Sequence, residues 1–281
     1  MLLVFKGVIH LQLSQVTISG FRNFHKSTVL SFLDPYTGMT NSRIILVGTN
    51  ASGKSTILEV VASLIKGSKG IKDDLFTELV QTRATVSLEF ADSDDNNLEI
   101  TLDDGHLTIS GDPNLIPYYL YFPAERYLLE VHEQPKETVF GYKYHPQEDS
   151  PELYLQKGIP HLPSLFFENR TLEYVENHYT LSASASNNTP IPLRKLPAGE
   201  KQALILLTLI EKHMKPNSLV IIDEFEISLH PTLQRRLYHL ISNYLKKHNC
   251  QLLIATHSLE IVRASSDTEV FSLDSLCGGE H

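Results

Sequence analysis

Gly48-Thr49-Asn50-Ala51-Ser52-Gly53-Lys54-Ser55-Thr56 is the stretch whose reading decides the fold. It fits G-x-x-x-x-G-K-[ST] without a gap, the pattern of a phosphate-binding loop. Ahead of it, Arg43-Ile44-Ile45-Leu46-Val47 is a short apolar run rich in β-branched residues and reads as a buried strand. Behind it, Ile57, Val60, Val61, Leu64 and Ile65 recur at helical spacing. Strand, Gly-rich loop and helix in that order form the context that the pattern requires. The chemistry is anion binding. N–H groups of the loop and of the first helical turn point at phosphate, and the helix dipole favours negative charge there. Gly48, Asn50, Ala51, Ser52, Gly53, Lys54, Ser55 and Thr56 are therefore expected around a nucleotide's phosphates. Lys54 is expected to reach the β- and γ-phosphates, and the Ser55 hydroxyl to ligate Mg²⁺.

The composition sets bounds around this core. A chain of 281 residues with 42% hydrophobic content supports a sizeable core, as one large domain or one domain with an inserted lobe. A net charge of −9 argues against a broad electrostatic grip on duplex DNA, so nucleic acid is not indicated as a partner, although a local basic patch stays open. Cys250 and Cys277 make no metal-type spacing, which fits a reduced, cytoplasmic protein. The run from Met1 to His10 is apolar but too short to span a bilayer, lacks a basic flank and a cleavage site, and reads as a strand. No other stretch approaches membrane length, so no membrane partner is expected.

Working outward, Leu11 to Phe21 and Ser27 to Phe32 read as strands. Gly67 to Lys72 ends the helix after the loop. Three alternating runs follow, with Val86, Leu88 and Phe90, then Leu98, Ile100 and Leu102, then Leu107 and Ile109 each on one face. Asp104-Gly105 is a hairpin turn between the last two, so this block is an antiparallel layer. The polar run Asp92 to Asn97 reads as a hairpin turn too, because Asn97 stands where a Ca²⁺ loop needs Gly. Pro117 to Phe122 is an apolar strand; its aromatics suggest base stacking or core packing, and alternation turns half of them to the core. From 126 to 193 the pattern weakens and reads as a small inserted helical and loop lobe. Ala198 to Met214 is a Leu-rich helix, Ser218 to Ile222 a buried strand, and Pro231 to Lys247 an amphipathic helix with Leu233, Leu237, Leu240, Ile241 and Tyr244 inward. Gln251 to Ala255 and Glu269 to Ser272 are further strands. Strands alternating with helices give an α/β fold with a mostly parallel core sheet. The expected division is 1–125 and 194–281 as two parts of a nucleotide-binding unit, with 126–193 inserted.

Three further stretches carry chemistry. Leu219-Val220-Ile221-Ile222-Asp223-Glu224 is an apolar strand ending in two acids. Asp223 would hold Mg²⁺, and Glu224 would orient and deprotonate a water. Leu252-Leu253-Ile254-Ala255-Thr256-His257-Ser258 places His257 just past a buried strand, where it can bond a phosphate oxygen and the water. Lys195-Leu196-Pro197-Ala198-Gly199-Glu200 opens the Leu-rich helix, and its tip at Ala198, Gly199 and Glu200 is either a second phosphate-sized anion site or a plain helix cap.

Taken in order, these stretches resemble the P-loop NTPase heads of the ABC-type ATPases, and most of all the RecF/SMC-like branch and the AAA-type ATPases grouped with the OLD (overcoming lysogenisation defect) proteins. Val16-Thr17-Ile18-Ser19-Gly20-Phe21-Arg22-Asn23-Phe24 is similar to the N-terminal strand and turn of that branch. Ile222-Asp223-Glu224-Phe225-Glu226-Ile227-Ser228-Leu229-His230-Pro231 is similar to its Walker B and D-loop, and Ala255-Thr256-His257-Ser258-Leu259-Glu260-Ile261-Val262 to its His switch. The resemblance implies ATP and Mg²⁺ as ligands, hydrolysis with Glu224 as base, and a homodimer in which each capping helix closes its partner's nucleotide. It also implies a regulator in bacterial anti-phage defence or a toxin system, paired with a protein effector (nuclease or toxin). A RecF-type repair ATPase, an ATP-locked scaffold and a transporter subunit are the rival readings. The chain departs from the pattern where Pro197 replaces the usual Ser, Ala51 a common Gly, and Phe225 and Leu259 frequent prolines. Pro123-Ala124-Glu125-Arg126 follows the Tyr-rich strand in place of a transporter's Gln, and Glu125 is expected to take that Gln's role near Mg²⁺.

Overall fold

The computed structural model describes residues 10–94, 96–124, 141–143, 161–167, 170–175, 178–183, 191–192, 195–226 and 228–274. Its strands are β1 (Gln12–Ser19), β2 (Thr28–Ser31), β3 (Arg43–Val47), β4 (Thr85–Ala91), β5 (Asn97–Asp103), β6 (His106–Ser110), β7 (Tyr119–Phe122), β8 (Gly141–Lys143), β9 (Arg170–Val175), β10 (His178–Ala183), β11 (Ile191–Pro192), β12 (Leu219–Ile222), β13 (Gln251–Ala255) and β14 (Val270–Ser272). The helices are α1 (Lys54–Ser68), α2 (Asp74–Gln81), α3 (His161–Phe166), α4 (Ala198–His213), α5 (Pro231–Lys247) and α6 (Leu259–Arg263). Among the described residues, no helix is long and apolar enough to cross a membrane.

The central sheet has six parallel strands in the order β14-β3-β13-β12-β7-β8. Both faces of the four inner strands are covered, which is why β3, β13, β12 and β7 read as apolar runs. Ile44, Leu46, Tyr119, Tyr121, Ile221 and Leu253 pack with α1 and the antiparallel layer. Their neighbours in sequence, Ile45, Leu120, Phe122, Val220, Ile222 and Ile254, pack on the other side with α3, α4 and α5. The Tyr-rich strand is thus buried along its whole length: Tyr119, Leu120, Tyr121 and Phe122 are all interior. The antiparallel layer is a second sheet of five strands, β2-β1-β4-β5-β6. Asp104 (φ 44°) and Gly105 (φ 79°) make the expected two-residue turn, whose paired left-handed residues match the twist of the flanking strands.

One irregularity in β1 explains its pattern. Leu11 and Leu13 fall on one parity and Val16 and Ile18 on the other, yet all four are buried. The register against β4 shifts between Leu13 and Gln15, a bulge that returns the second half to the core face. Leu13 keeps its β4 partner, Phe90, but has no β2 partner, since that pairing begins at Gln15. Gln251 fills the gap from the other sheet. Its Oε1 accepts from Leu13 N (2.7 Å), and its Nε2 donates to Leu13 O (3.0 Å) and Asn41 O (2.8 Å). One buried amide therefore ties the two sheets together.

Two elements differ from the sequence reading. Helix α2 occupies a stretch in which the sequence showed no element; it is capped by Asp73, whose Oδ1 accepts from Phe76 N (2.9 Å), and held by Phe76 and Leu79. Its eight residues are too few for a periodic signal. The inserted stretch 126–193, expected as helix and loop, also carries strands. Here β9, β10 and β11 form a three-stranded antiparallel sheet, and β8 adds to the main sheet beside β7. In α5, Tyr238 and Leu245 join Leu237 and Ile241 in the core, while Leu233, Leu240 and Tyr244 sit at its margin. Of the strand expected over Met1 to His10, residues 1–9 lie outside the described residues and His10 is not in a strand.

Candidate functional site

The carboxyl ends of β3, β12 and β13 meet at one side of the parallel sheet, the side on which such sheets bind ligands. There Asn50, Ala51, Gly53, Lys54, Ser55, Thr56, Asp223, Glu224 and His257 line a single open cleft, joined by Asn23, Ala255 and Thr256. Gly48 and Ser52 shape the loop from within. Lys54 is folded back, its Nζ donating to Gly48 O (2.9 Å), Thr49 O (2.8 Å) and Ser52 Oγ (3.4 Å). Burial pushes its ammonium below the ordinary lysine value, opposed by the attraction of Asp274, Asp223, Glu226 and Glu224.

The turn Phe21-Arg22-Asn23-Phe24 braces the loop. Asn23 donates its side-chain amide to Ala51 O. Phe24 is buried against Gly53, where a Cβ would lie 2.6 Å from the ring's Cζ. With φ at +96°, Gly53 meets two demands that a side chain would violate, and α1 starts directly after it. Arg22 pairs with Glu59 (2.8 Å) and Glu78 (3.0 Å), pinning the turn to α1 and α2.

Asp223 is buried at the end of β12, and its Oδ1 accepts from Glu224 N (2.9 Å). Glu224 is exposed and holds φ at +41°, a left-handed value that costs a non-glycine residue about 1 kcal/mol or more. The surroundings impose it. Asp223 N is fixed to Phe122 O (2.9 Å) and Phe225 N to Ala255 O (3.2 Å), while Phe225 is buried edge-on to Tyr238. The phenylalanine in place of a proline is thus an anchor for the turn.

The helix tip is separate from this cleft. Pro197 caps α4 and gives no side-chain hydrogen bond. Ala198 is exposed, whereas Gly199 is buried against the turn after β12, where a Cβ would lie 2.2 Å from Ser228 O. Glu200 pairs with Arg170 of β9 at 2.7 Å. Glu125 lies outside the described residues.

Two further acids hold the site, neither of them assigned a role by the sequence. Glu226 accepts from Thr256 Oγ1 (2.5 Å) and from His257 N. Asp274, just past β14, accepts from Thr49 N (2.8 Å) and Thr49 Oγ1 (2.8 Å) with its Oδ1. These bonds hold the Asp274 carboxyl below its ordinary value, helped by Lys54 and His257. A third acid soon after Asp223-Glu224 was a visible signal for Glu226; Asp274 had none.

Two family profiles match. One, described as "AAA ATPase domain", covers residues 12–182, and the other, described as "AAA domain, putative AbiEii toxin, Type IV TA system", covers residues 123–263. A curated relative, the zinc import ATP-binding protein ZnuC of Hydrogenovibrio crunogenus, is 22% identical over 239 residues, 85% of this chain and 70% of the relative. Among solved structures, the SMC head domain of Thermotoga maritima superposes with a TM-score of 0.53 at 16% identity, covering 93% of this chain and 94% of that one. The Smc head domain of Pyrococcus furiosus, solved with the C-terminal domain of ScpA, gives a TM-score of 0.56 at 11% identity over 93% of each chain. At these identities the two structures speak for the fold: an α/β P-loop NTPase of the head-domain type.

Proposed function

The chain belongs to the AAA ATPase domain family, and on that premise we propose that it binds MgATP in the cleft described above and hydrolyses it as a homodimer closed by ATP. The observation that carries the reading is the convergence of Lys54, Ser55, Asp223, Glu224 and His257 on one cleft from three separate stretches of sequence. The loop N–H groups and Lys54 bind the phosphates, for which Lys54 leaves the loop carbonyls that it now contacts. The Ser55 hydroxyl and the Asp223 carboxylate are hard oxygen donors that suit Mg²⁺, an ion that takes few protein ligands and keeps water and phosphate oxygens. When bound, Mg²⁺ neutralises charge on the β- and γ-phosphates. Glu224, exposed at the cleft, orients the attacking water and takes its proton, and His257 donates to the γ-phosphate. Glu125 is assigned to the same metal by resemblance alone.

In the dimer, Ala198, Gly199 and Glu200 face the partner's nucleotide through the first turn of α4. The biological role we assign is regulation in an anti-phage or toxin-type system with a protein effector, in the cytoplasm. Its support is the AbiEii-type profile over residues 123–263. Pro197, which gives no capping bond, favours a second reading in which ATP locks a dimeric scaffold and turnover is slow. The transport suggested by the relative's name lacks its Gln here, since Pro123-Ala124 follows β7. Turnover of Glu224→Gln separates the two readings. A base at Glu224 predicts retained MgATP binding by calorimetry and a loss of about two to four orders of magnitude in kcat. An unchanged rate would remove Glu224 from catalysis, and equal MgATP affinity in wild type and Lys54→Ala would remove the nucleotide site itself.

A further inference from the structure

Strand pairing stops short of His257. The β13 ladder with β3 ends at Ala255 opposite Leu46, and Thr256 N makes the last bond, to Leu46 O (3.1 Å). Past that point the main chain is held from the side by Glu226. Its two carboxylate oxygens take adjacent donors, the Thr256 hydroxyl (2.5 Å) and the His257 N–H. The network continues beyond them. Thr256 is fully buried, and its Oγ1 accepts from Ser258 N (3.0 Å). Ser258 Oγ donates to Gln234 Oε1 (2.5 Å), and Gln234 Nε2 donates to Leu229 O (2.8 Å). The bonds thus run from the turn after β12, through residues 256–258, to the first turn of α5 and back to that turn.

We propose that Glu226 is a positioning residue: it fixes the backbone at His257, so that the imidazole meets the γ-phosphate at a set angle, and it acts on turnover only through His257. The role rests on the ATPase reading above. A carboxylate suits this position because both partners donate. The Thr256 oxygen already accepts from Ser258, which leaves its hydroxyl proton to be given to Glu226. An amide can keep the bond from His257 N–H with its oxygen while turning its NH₂ to the Thr256 oxygen, so Glu226→Gln retains the contact that matters. Glu226→Ala loses both.

The test is a double-mutant cycle in the full chain between Glu226→Ala and His257→Ala, with Glu226→Gln as rescue, reading kcat, KM and MgATP affinity. Thermal unfolding checks that each variant folds; should Glu226→Ala fail, Glu226→Asp, which keeps the charge one methylene too short, takes its place. Glu226→Ala is expected to lower kcat about tenfold with KM and MgATP affinity unchanged, and Glu226→Gln to recover most of the rate. The double variant is expected to be no slower than His257→Ala, since coupled residues do not add. A slow His257→Ala beside a full-speed Glu226→Ala overturns the proposal and leaves the ATPase reading standing. So do losses that multiply in the double variant, or a raised KM at constant kcat. A full-speed His257→Ala overturns both the proposal and the assignment of His257, and a wild type without turnover overturns the ATPase reading on which both depend.

Discussion

At the residue scale, Asp274 sets the electrostatic condition of the phosphate loop. It sits on Thr49 with a negative charge that also attracts Lys54. Its folded-state pKa is lowered, so the stabilising contact is fully present above the ordinary carboxylate value of about 4 and is lost as pH falls through the lowered value. Thermal unfolding between about pH 5 and 2 should show this loss in wild type and a shallower one in Asp274→Asn, which keeps an acceptor for Thr49 but does not titrate. The same variant removes a charge beside the phosphates and is expected to bind MgATP at least as tightly as wild type at neutral pH. The difference between Asp274 and Lys54 marks what a sequence shows. Lys54, Ser55, Asp223 and Glu224 belong to contiguous patterns tied to one strand end. Asp274 meets Thr49 across 225 positions and Glu226 meets His257 across 31, and nothing local encodes either contact.

At the scale of elements, long periodic runs were legible and short or compensated ones were not. Helix α1 follows its pattern because it packs between the two sheets, and strand β3 follows its own because both of its faces are covered. The change of parity in β1 became intelligible only with the bulge, and the buried Leu13 backbone, which β2 does not reach, is served by Gln251. Gln251→Leu should therefore destabilise the chain by about 3 kcal/mol or more in urea titrations, since it leaves buried backbone groups unpaired at about 1–3 kcal/mol each. The start of α4 carries a similar dependence. Gly199 touches the Ser228 and Leu229 backbone, which cannot rotate aside as a side chain would. Gly199→Ala should cost about 1–3 kcal/mol by overpacking and displace the turn that carries Glu226. An undiminished unfolding midpoint would show that α4 and this turn separate freely.

At the scale of the whole molecule, the proposed dimer makes a demand on the surface at the tip of α4. Gly199 is unsuited to test it, because any side chain there disturbs the chain's own packing. Ala198 is exposed, and Ala198→Asp should leave MgATP binding intact while weakening ATP-dependent dimerisation, read by sedimentation in a Glu224→Gln background that suppresses hydrolysis. A variant that dimerises as well as its parent would remove the sandwich arrangement. The strand order of the central sheet has a consequence in time as well as space. β3, which carries the phosphate loop, lies between β13 and β14, so its neighbours are made some 200 positions after it. At about 5–20 residues per second, the loop leaves the ribosome roughly 10–40 s before either flanking strand exists. During that interval Ile44, Ile45 and Leu46 have no native sheet partner. The phosphate loop can therefore reach its native surroundings only once β13 and β14 have been made.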